Sequence, residues 1–227
     1  MKAPAALHKT RILVYHSISS SNTHYVSKPL YMTGPAEFEE QMRYLKDNYA
    51  VIGLDEVVRG IREGKSPGRD RAAVTFDDGH ADSYSAAIPV LKRYAIPATF
   101  FITTGFIGTP GYLTWDELRR MSGEGFGCGC HTVSHRRLTP LAEGEIYDEV
   151  SASKAVLEKE LSAGIPYFSY PYGELSPGVI SAVKRASFEA AFSTVDAPCG
   201  PGSDLFAIPR KEVLRQPFHN FTAWLRL

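Results

Sequence analysis

Six short apolar runs, rich in β-branched or aromatic residues, recur along the chain at positions 12–15, 72–76, 98–103, 126–130, 167–170 and 190–194. Between them lie segments with helical spacing at 35–48, 54–63, 83–94, 114–122, 144–162 and 176–186. Strand and helix therefore alternate, which argues for βα units around a parallel sheet. Runs such as AAVTF and ATFFIT are apolar almost throughout, as strands covered on both faces require. The expected fold class is α/β, an α/β barrel or an open α/β sheet. With 227 residues and 44% hydrophobic content, one sizeable core and a single domain over 1–227 are expected.

Local punctuation agrees with these elements. Thr114 stands three residues before Glu117 in a capping-box pattern, and Gly164 and Pro166 follow the long helix. Residues 17–34 form a Ser/Thr-rich loop long enough to line a cleft, and 198–202 form a Gly/Pro-rich surface loop. Lysine plus arginine and aspartate plus glutamate both number 25, so no net field favours nucleic acid or anionic lipid. The first residues lack an apolar stretch of signal-peptide length, and no later run is long enough for a membrane span. The sequence as it stands reads as cytoplasmic, or as secreted or periplasmic if a signal has been removed; it sets no oligomeric state.

The three cysteines, 128, 130 and 199, are odd in number, and 128 and 130 are too closely spaced for a disulfide framework. They read as reduced, buried thiols.

In a barrel, polar groups at the carboxyl ends of strands gather on one rim. Four strand ends carry such groups: His16; Asp77, Asp78 and His80; His131 and His135; and Tyr170 to Gly173. Adjacent aspartates repel and need a cation, a basic side chain or water to neutralise them. Two histidines four residues apart, with a carboxylate, suit Zn²⁺ or a similar divalent ion and leave a position open for water. A hydrolytic site needs that open position, and the second aspartate can serve as a base. Physics alone does not assign the two aspartates.

The motifs TFDDG (75–79), HTVSH (131–135) and FSYPYG (168–173) resemble the first three motifs of the polysaccharide deacetylases of carbohydrate esterase family 4, in the right order over residues 70–195. The resemblance implies a distorted, incomplete (β/α)7-type barrel and hydrolysis of N-acetyl groups on an N-acetylglucosamine-containing glycan, releasing acetate. It makes Asp77 the general base and Asp78, His131 and His135 the ligands of a divalent metal: zinc, or cobalt, nickel or iron. It gives the backbone N–H of Tyr172 to the oxyanion. Pro171, Tyr172 and, beside the aspartates, His80 are expected to line the substrate site.

The third motif of the family usually carries an arginine that orients the base; here that position is Ser169. The Ser-Tyr-Pro-Tyr-Gly form is similar instead to the circularly permuted branch acting on poly-N-acetylglucosamine. In that branch a YH motif supplies the general acid, which Tyr15-His16 matches. Arg210 is a candidate to replace the missing arginine. His219 is a rival acid, and Tyr112 and Trp115 could stack on sugar rings or pack on the core. Rival readings are deacylation of a small or lipid-linked amino sugar, a glycan-binding barrel without activity, and a structural zinc protein with Cys130 as fourth ligand.

Overall fold

The computed structural model describes residues 8–21 and 28–226, so the middle of the expected 17–34 loop and the first seven residues of the chain lie outside it. In chain order the elements are β1 (Thr10–Tyr15), β2 (Ser17–Ile18), β3 (Met32–Thr33), α1 (Pro35–Asn48), β4 (Ala50–Val51), α2 (Leu54–Arg62), β5 (Arg71–Phe76), α3 (Ile88–Arg93), β6 (Ala98–Ile102), α4 (Trp115–Gly123), β7 (Gly127–Cys130), α5 (Glu143–Leu161), β8 (Tyr167–Ser169), α6 (Pro177–Arg185), β9 (Ala190–Phe192), β10 (Lys211–Glu212) and α7 (Phe218–Arg226). Every strand pair is parallel, in the order β10-β1-β5-β6-β7-β8-β9, with β4 added beside the start of β5. One short segment touches both edges of this curled sheet. Ile208 bridges to Phe192, and Lys211 and Glu212 pair with Leu13 and Val14. The ladder is interrupted between those contacts, at Pro209 and Arg210, so the fold is an incomplete α/β barrel.

Side chains alternate across a strand, and here the alternation separates two cores. Leu13, Tyr15, Val74, Phe76, Phe100, Ile102, Cys130 and Phe168 face outward into one cluster with the surrounding helices. Ile12, Ala73, Phe101, Tyr167, Phe192 and Ile208 face inward and meet Leu54, Val57, Val58 and Ile61 of α2, which plugs the amino-terminal end of the lumen. The GCGC sequence of β7 follows from this parity. A Cβ at Gly129 would lie 2.5 Å from the Phe101 ring, and one at Gly127 would lie 2.6 Å from the Thr99 hydroxyl. Glycine therefore faces the filled lumen while the cysteines face out.

Helix ends follow their expected chemistry. Thr114 accepts the Glu117 N–H while Glu117 accepts the Thr114 N–H, and α5 ends at Ser162 in the left-handed conformation. The segment expected as one helix over 83–94 differs. It begins as a π-helical turn over 83–87 and becomes α-helical only at Ile88. Pro89 has no N–H to give to the preceding turn, and the ladder shifts to accommodate it.

Candidate active site

The same parity that fills the lumen delivers polar side chains to its carboxyl-terminal mouth. Two steps beyond Ala73 on β5 comes Thr75 and then Asp77; two steps beyond Gly129 comes His131; two steps beyond Tyr167 comes Ser169; Ile208 is followed at the same spacing by Arg210 and Glu212. Asp77, His131, Ser169 and Arg210 are all buried.

Asp78 follows β5 with φ 73°, a left-handed backbone that turns its side chain away from that of Asp77. Its Oδ1 lies 3.4 Å from Nε2 of His131 and 3.2 Å from Nε2 of His135. The three ligand atoms fall within 4.8 Å of one another. Tetrahedral zinc with bonds of about 2.0–2.1 Å would hold its ligand atoms about 3.3 Å apart. Asp78 Oδ1 is buried with no hydrogen-bond partner among the described residues. His131 places Nδ1 2.8 Å from the Ser169 carbonyl, so the ring proton belongs there and the Nε2 lone pair faces the cup. An orphaned carboxylate oxygen facing two imidazole nitrogens fits a divalent cation.

Positive φ at a residue other than glycine is costly. Of the seven such residues described, Asp78, Thr132, His135 and Tyr172 belong to this site. Burial opposes ionisation of Asp78, but His131, His135 and His80 around it hold its carboxyl well below the usual range.

Asp77 has a different environment. Arg210, fully buried, donates from Nη1 to Oδ1 at 2.8 Å and from Nη2 to Oδ2 at 2.6 Å, a two-pronged pair. Ser169 donates to the same Oδ2 at 3.0 Å and accepts from Arg210 Nη2 at 2.7 Å. Arg210 also donates to the Ser193 carbonyl and the Thr75 hydroxyl, which fixes the guanidinium plane. Burial would raise the Asp77 carboxyl, yet the Arg210 charge, then His131 and the Arg210 hydrogen bonds, bring it below its ordinary value. A guanidinium from the residue just before β10 thus meets the Asp77 carboxylate beside Ser169.

The pocket over this pair is walled by His16, Tyr31, Tyr170, Tyr172, Thr194 and Glu212. His16 packs against the Tyr31 ring at 4.7 Å, and its Nδ1 is buried without a partner among the described residues. Burial pushes its imidazole pKa down, against the opposing pull of Asp78 and Asp77. Tyr172 is half exposed, edge-on to His135 at 4.8 Å, with the Arg137 guanidinium 4.2 Å from its ring centroid. Tyr31, Thr194 and Glu212 were not singled out from sequence. Glu212 had a signal, since it stands two residues beyond Arg210 in an extended segment. Burial and the nearby Asp77 raise its carboxyl.

Two residues expected against substrate lie elsewhere. His80 is 3% exposed and sits behind Asp78, with Nε2 3.4 Å from Oδ2 and its ring stacked on Tyr112 at 5.0 Å. Pro171 is buried beneath its turn, because the left-handed backbone at Tyr172 lifts the following side chain to the surface instead. His219 lies exposed on α7, outside the pocket wall, and Trp115 packs on the outer core. Cys130 points into that outer core, where burial pushes its thiol pKa up to about 12, so it supplies no fourth ligand. All three cysteines are free. No helix among the described residues is long and apolar enough to cross a membrane.

Known proteins share this arrangement of chain. The chain is 30% identical to the YxkH protein of Bacillus subtilis (strain 168) over 206 residues, covering 90% of this chain and 71% of that one. It is 29% identical over 195 residues to the poly-beta-1,6-N-acetyl-D-glucosamine N-deacetylase of Staphylococcus aureus (strain MSSA476), covering 79% of this chain and 67% of the relative. Among solved structures, the Streptococcus pyogenes deacetylase PplD in complex with acetate superposes with a TM-score of 0.86 at 26% identity, over 95% of this chain and 97% of that one. IcaB from Ammonifex degensii shares the fold with a TM-score of 0.87 at 24% identity, over 97% of this chain and 98% of that one. The profile of the polysaccharide deacetylase family matches residues 64–191, more than half of the sequence, and the chain belongs to that family.

Proposed function

We propose that the chain is a metal-dependent N-deacetylase that removes acetate from N-acetylglucosamine units of a glycan. The observation that carries this reading is the pairing of two neighbouring carboxylates in opposite states of engagement. Asp77 is clamped by Arg210, whereas Asp78 Oδ1 faces His131 and His135 with no hydrogen-bond partner among the described residues. The staphylococcal relative's named activity supports the choice of polymer.

Asp78, His131 and His135 would hold the ion, zinc first among zinc, cobalt, nickel and iron given two imidazoles and one carboxylate. When bound, such an ion polarises an acyl oxygen and brings the pKa of water toward ~7. Asp77, kept ionised by Arg210 and aimed by Ser169, takes the proton from the attacking water. The Tyr172 N–H donates to the oxyanion that forms on the former carbonyl oxygen. His16, also in the pocket wall, gives a proton to the departing amine, so acetate and a free amino sugar leave. The water oxygen bonds to the acetyl carbon first, and the C–N bond breaks as the oxyanion collapses and the amine nitrogen takes its proton, with no covalent enzyme intermediate.

Metal content by mass spectrometry and acetate release from poly-N-acetylglucosamine fragments and chitooligosaccharides test this division of labour. Asp77→Asn is expected to keep the ion and lose about 10²–10⁴ in turnover. Asp78→Ala and His131→Ala lose ion and turnover together. A fully active Asp77→Asn enzyme, or a wild-type chain active after complete removal of metal, would overturn the reading.

A further inference from the structure

We propose that Glu149 of α5 is a positioning residue for the metal cup, its carboxylate fixing the loop that carries both histidine ligands; this rests on the metal-binding reading above. His131 and His135 are joined by only three residues, and the loop is not helical. Thr132 and His135 have φ of 68° and 56°, a conformation that must be held from outside.

Two opposed sets of hydrogen bonds hold it. On one side the carbonyls of Thr132 and Val133 accept the N–H groups of Thr104 and Gly105 at 3.1 and 2.8 Å. Gly105 is required there, because a Cβ would sit 2.6 Å from the Val133 oxygen. On the other side the consecutive N–H groups of Val133 and Ser134 both donate to Glu149 Oε2, at 3.0 and 2.9 Å, and the Ser134 hydroxyl donates to Oε1. Consecutive amides converging on an anion form a nest, and bonds to an ionised acceptor are about twice as strong as neutral ones. The Thr132 hydroxyl completes the loop by accepting the His135 N–H at 2.9 Å.

The latch is separable from the fold. Helix α5 is anchored to the outer core through Ile146, Val150 and Leu157, so removing the Glu149 carboxylate frees the loop while the helix keeps its packing. Groups that orient metal ligands through hydrogen bonds typically contribute about 10–100-fold in metal affinity.

The test is titration of the full chain, stripped of metal, with Co²⁺ and Zn²⁺, reading the dissociation constant and the visible Co²⁺ bands. Glu149→Ala is expected to weaken binding about tenfold or more and to alter the Co²⁺ bands. Glu149→Gln keeps an amide oxygen for the two N–H groups and, with the Ser134 hydroxyl turned to accept, restores affinity to within about threefold of wild type. A Glu149→Ala affinity within twofold of wild type overturns the proposal. So does an equal loss in Glu149→Ala and Glu149→Gln, which would assign the effect to charge near the ion. Should Glu149→Ala fail to fold, Ser134→Ala removes one of the three bonds and is expected to weaken binding about two- to fivefold; wild-type affinity there is equally fatal. A wild-type chain that binds neither ion refutes the cup itself, a different failure, because no variant then differs from it.

Discussion

The two ends of the barrel lumen are built by the same strands and treat water in opposite ways. At the amino-terminal end Ile12, Ala73, Phe101, Tyr167 and Phe192 close over α2 in an apolar plug. Further along the same strands, counting by twos, the same parity places Asp77, His131, Ser169 and Arg210, four buried polar side chains. Arg210 joins the two regions. Its guanidinium carbon lies 5.1 Å from the Phe101 ring centroid and 6.0 Å from that of Phe192, so the top of the plug is the floor of the charged pair. The difference teaches that the apolar end is part of the chemistry: it removes solvent from one side of Asp77, where a counter-charge acts most strongly. An ion pair so placed is not a net source of stability, but breaking it from one side is expensive.

The largest expected effect comes from doing that. Arg210→Met fills the space without the charge and leaves Asp77 buried, with Ser169 the one remaining side-chain hydrogen-bond donor among the described residues. A loss of about 3–5 kcal/mol in metal-free urea unfolding at pH 7 is expected. Its pH dependence has a definite sign. In wild type the Asp77 carboxyl is held below its ordinary value, so its contribution is present above about pH 4 and fades as pH falls through the folded value. In Arg210→Met burial dominates and raises the folded value above the unfolded one, so the variant's deficit grows as pH rises and shrinks as the carboxyl is protonated in acid. A deficit unchanged between pH 4 and pH 7 would show that Arg210 acts by packing alone, and the contrast between the two ends would fail.

The plug end is probed by Gly129→Ala. The added methyl would meet the Phe101 ring at 2.5 Å and the Tyr167 carbonyl at 3.1 Å, in a strand whose neighbours on both sides are fixed by ladder bonds. Overpacking of this kind costs about 1–3 kcal/mol, measurable as a lower urea midpoint at unchanged slope. Because Phe101 is also the floor beneath Arg210, acetate release should fall along with stability. A stable Gly129→Ala protein with reduced activity would sharpen the picture, by showing that the strain is passed upward to Asp77.

Much of this contrast was legible from residue types and spacing. The six apolar runs became strands because parallel strands buried on both faces need such runs, and the alternating helices followed. The aspartates and histidines stood out because carboxylate and imidazole next to strand ends have few structural uses in that combination. What escaped had weaker local signals. β10 is two residues long, charged, and follows a proline; it is a strand because β1 offers it a ladder. Arg210 could be proposed as a partner of Asp77 but not placed, since 133 residues separate them and only barrel closure brings them together. Glu149 lay within a recognised helix, yet its role depends on the direction of two backbone N–H groups in the 131–135 loop, which no side-chain pattern encodes. The parity rule would have helped: counting by twos from Ile208 puts Arg210 and Glu212 on the lumen side with Asp77.

The smallest effect should come from the far end of the plug, where Tyr167 donates its hydroxyl to Asp55 of α2 at 2.5 Å. Burial, then the hydrogen bond to Asp55 and its charge, raises the tyrosine pKa, so it remains a donor at every pH at which the protein would be studied. Asp55 is exposed, and water replaces the lost donor in Tyr167→Phe, so the cost should fall near the low end of about 0.5–1.5 kcal/mol. The ring stays, with its edge-on contact to Phe192 at 5.8 Å, and with it the floor under Arg210. Melting temperature should therefore drop slightly while the Zn²⁺ dissociation constant and acetate release stay at wild-type values. If metal affinity moved with this hydroxyl, the plug would be coupled to the cup through α2 rather than through the Phe101 and Phe192 rings, and the separation of the lumen into a packing end and a chemical end would have to be redrawn.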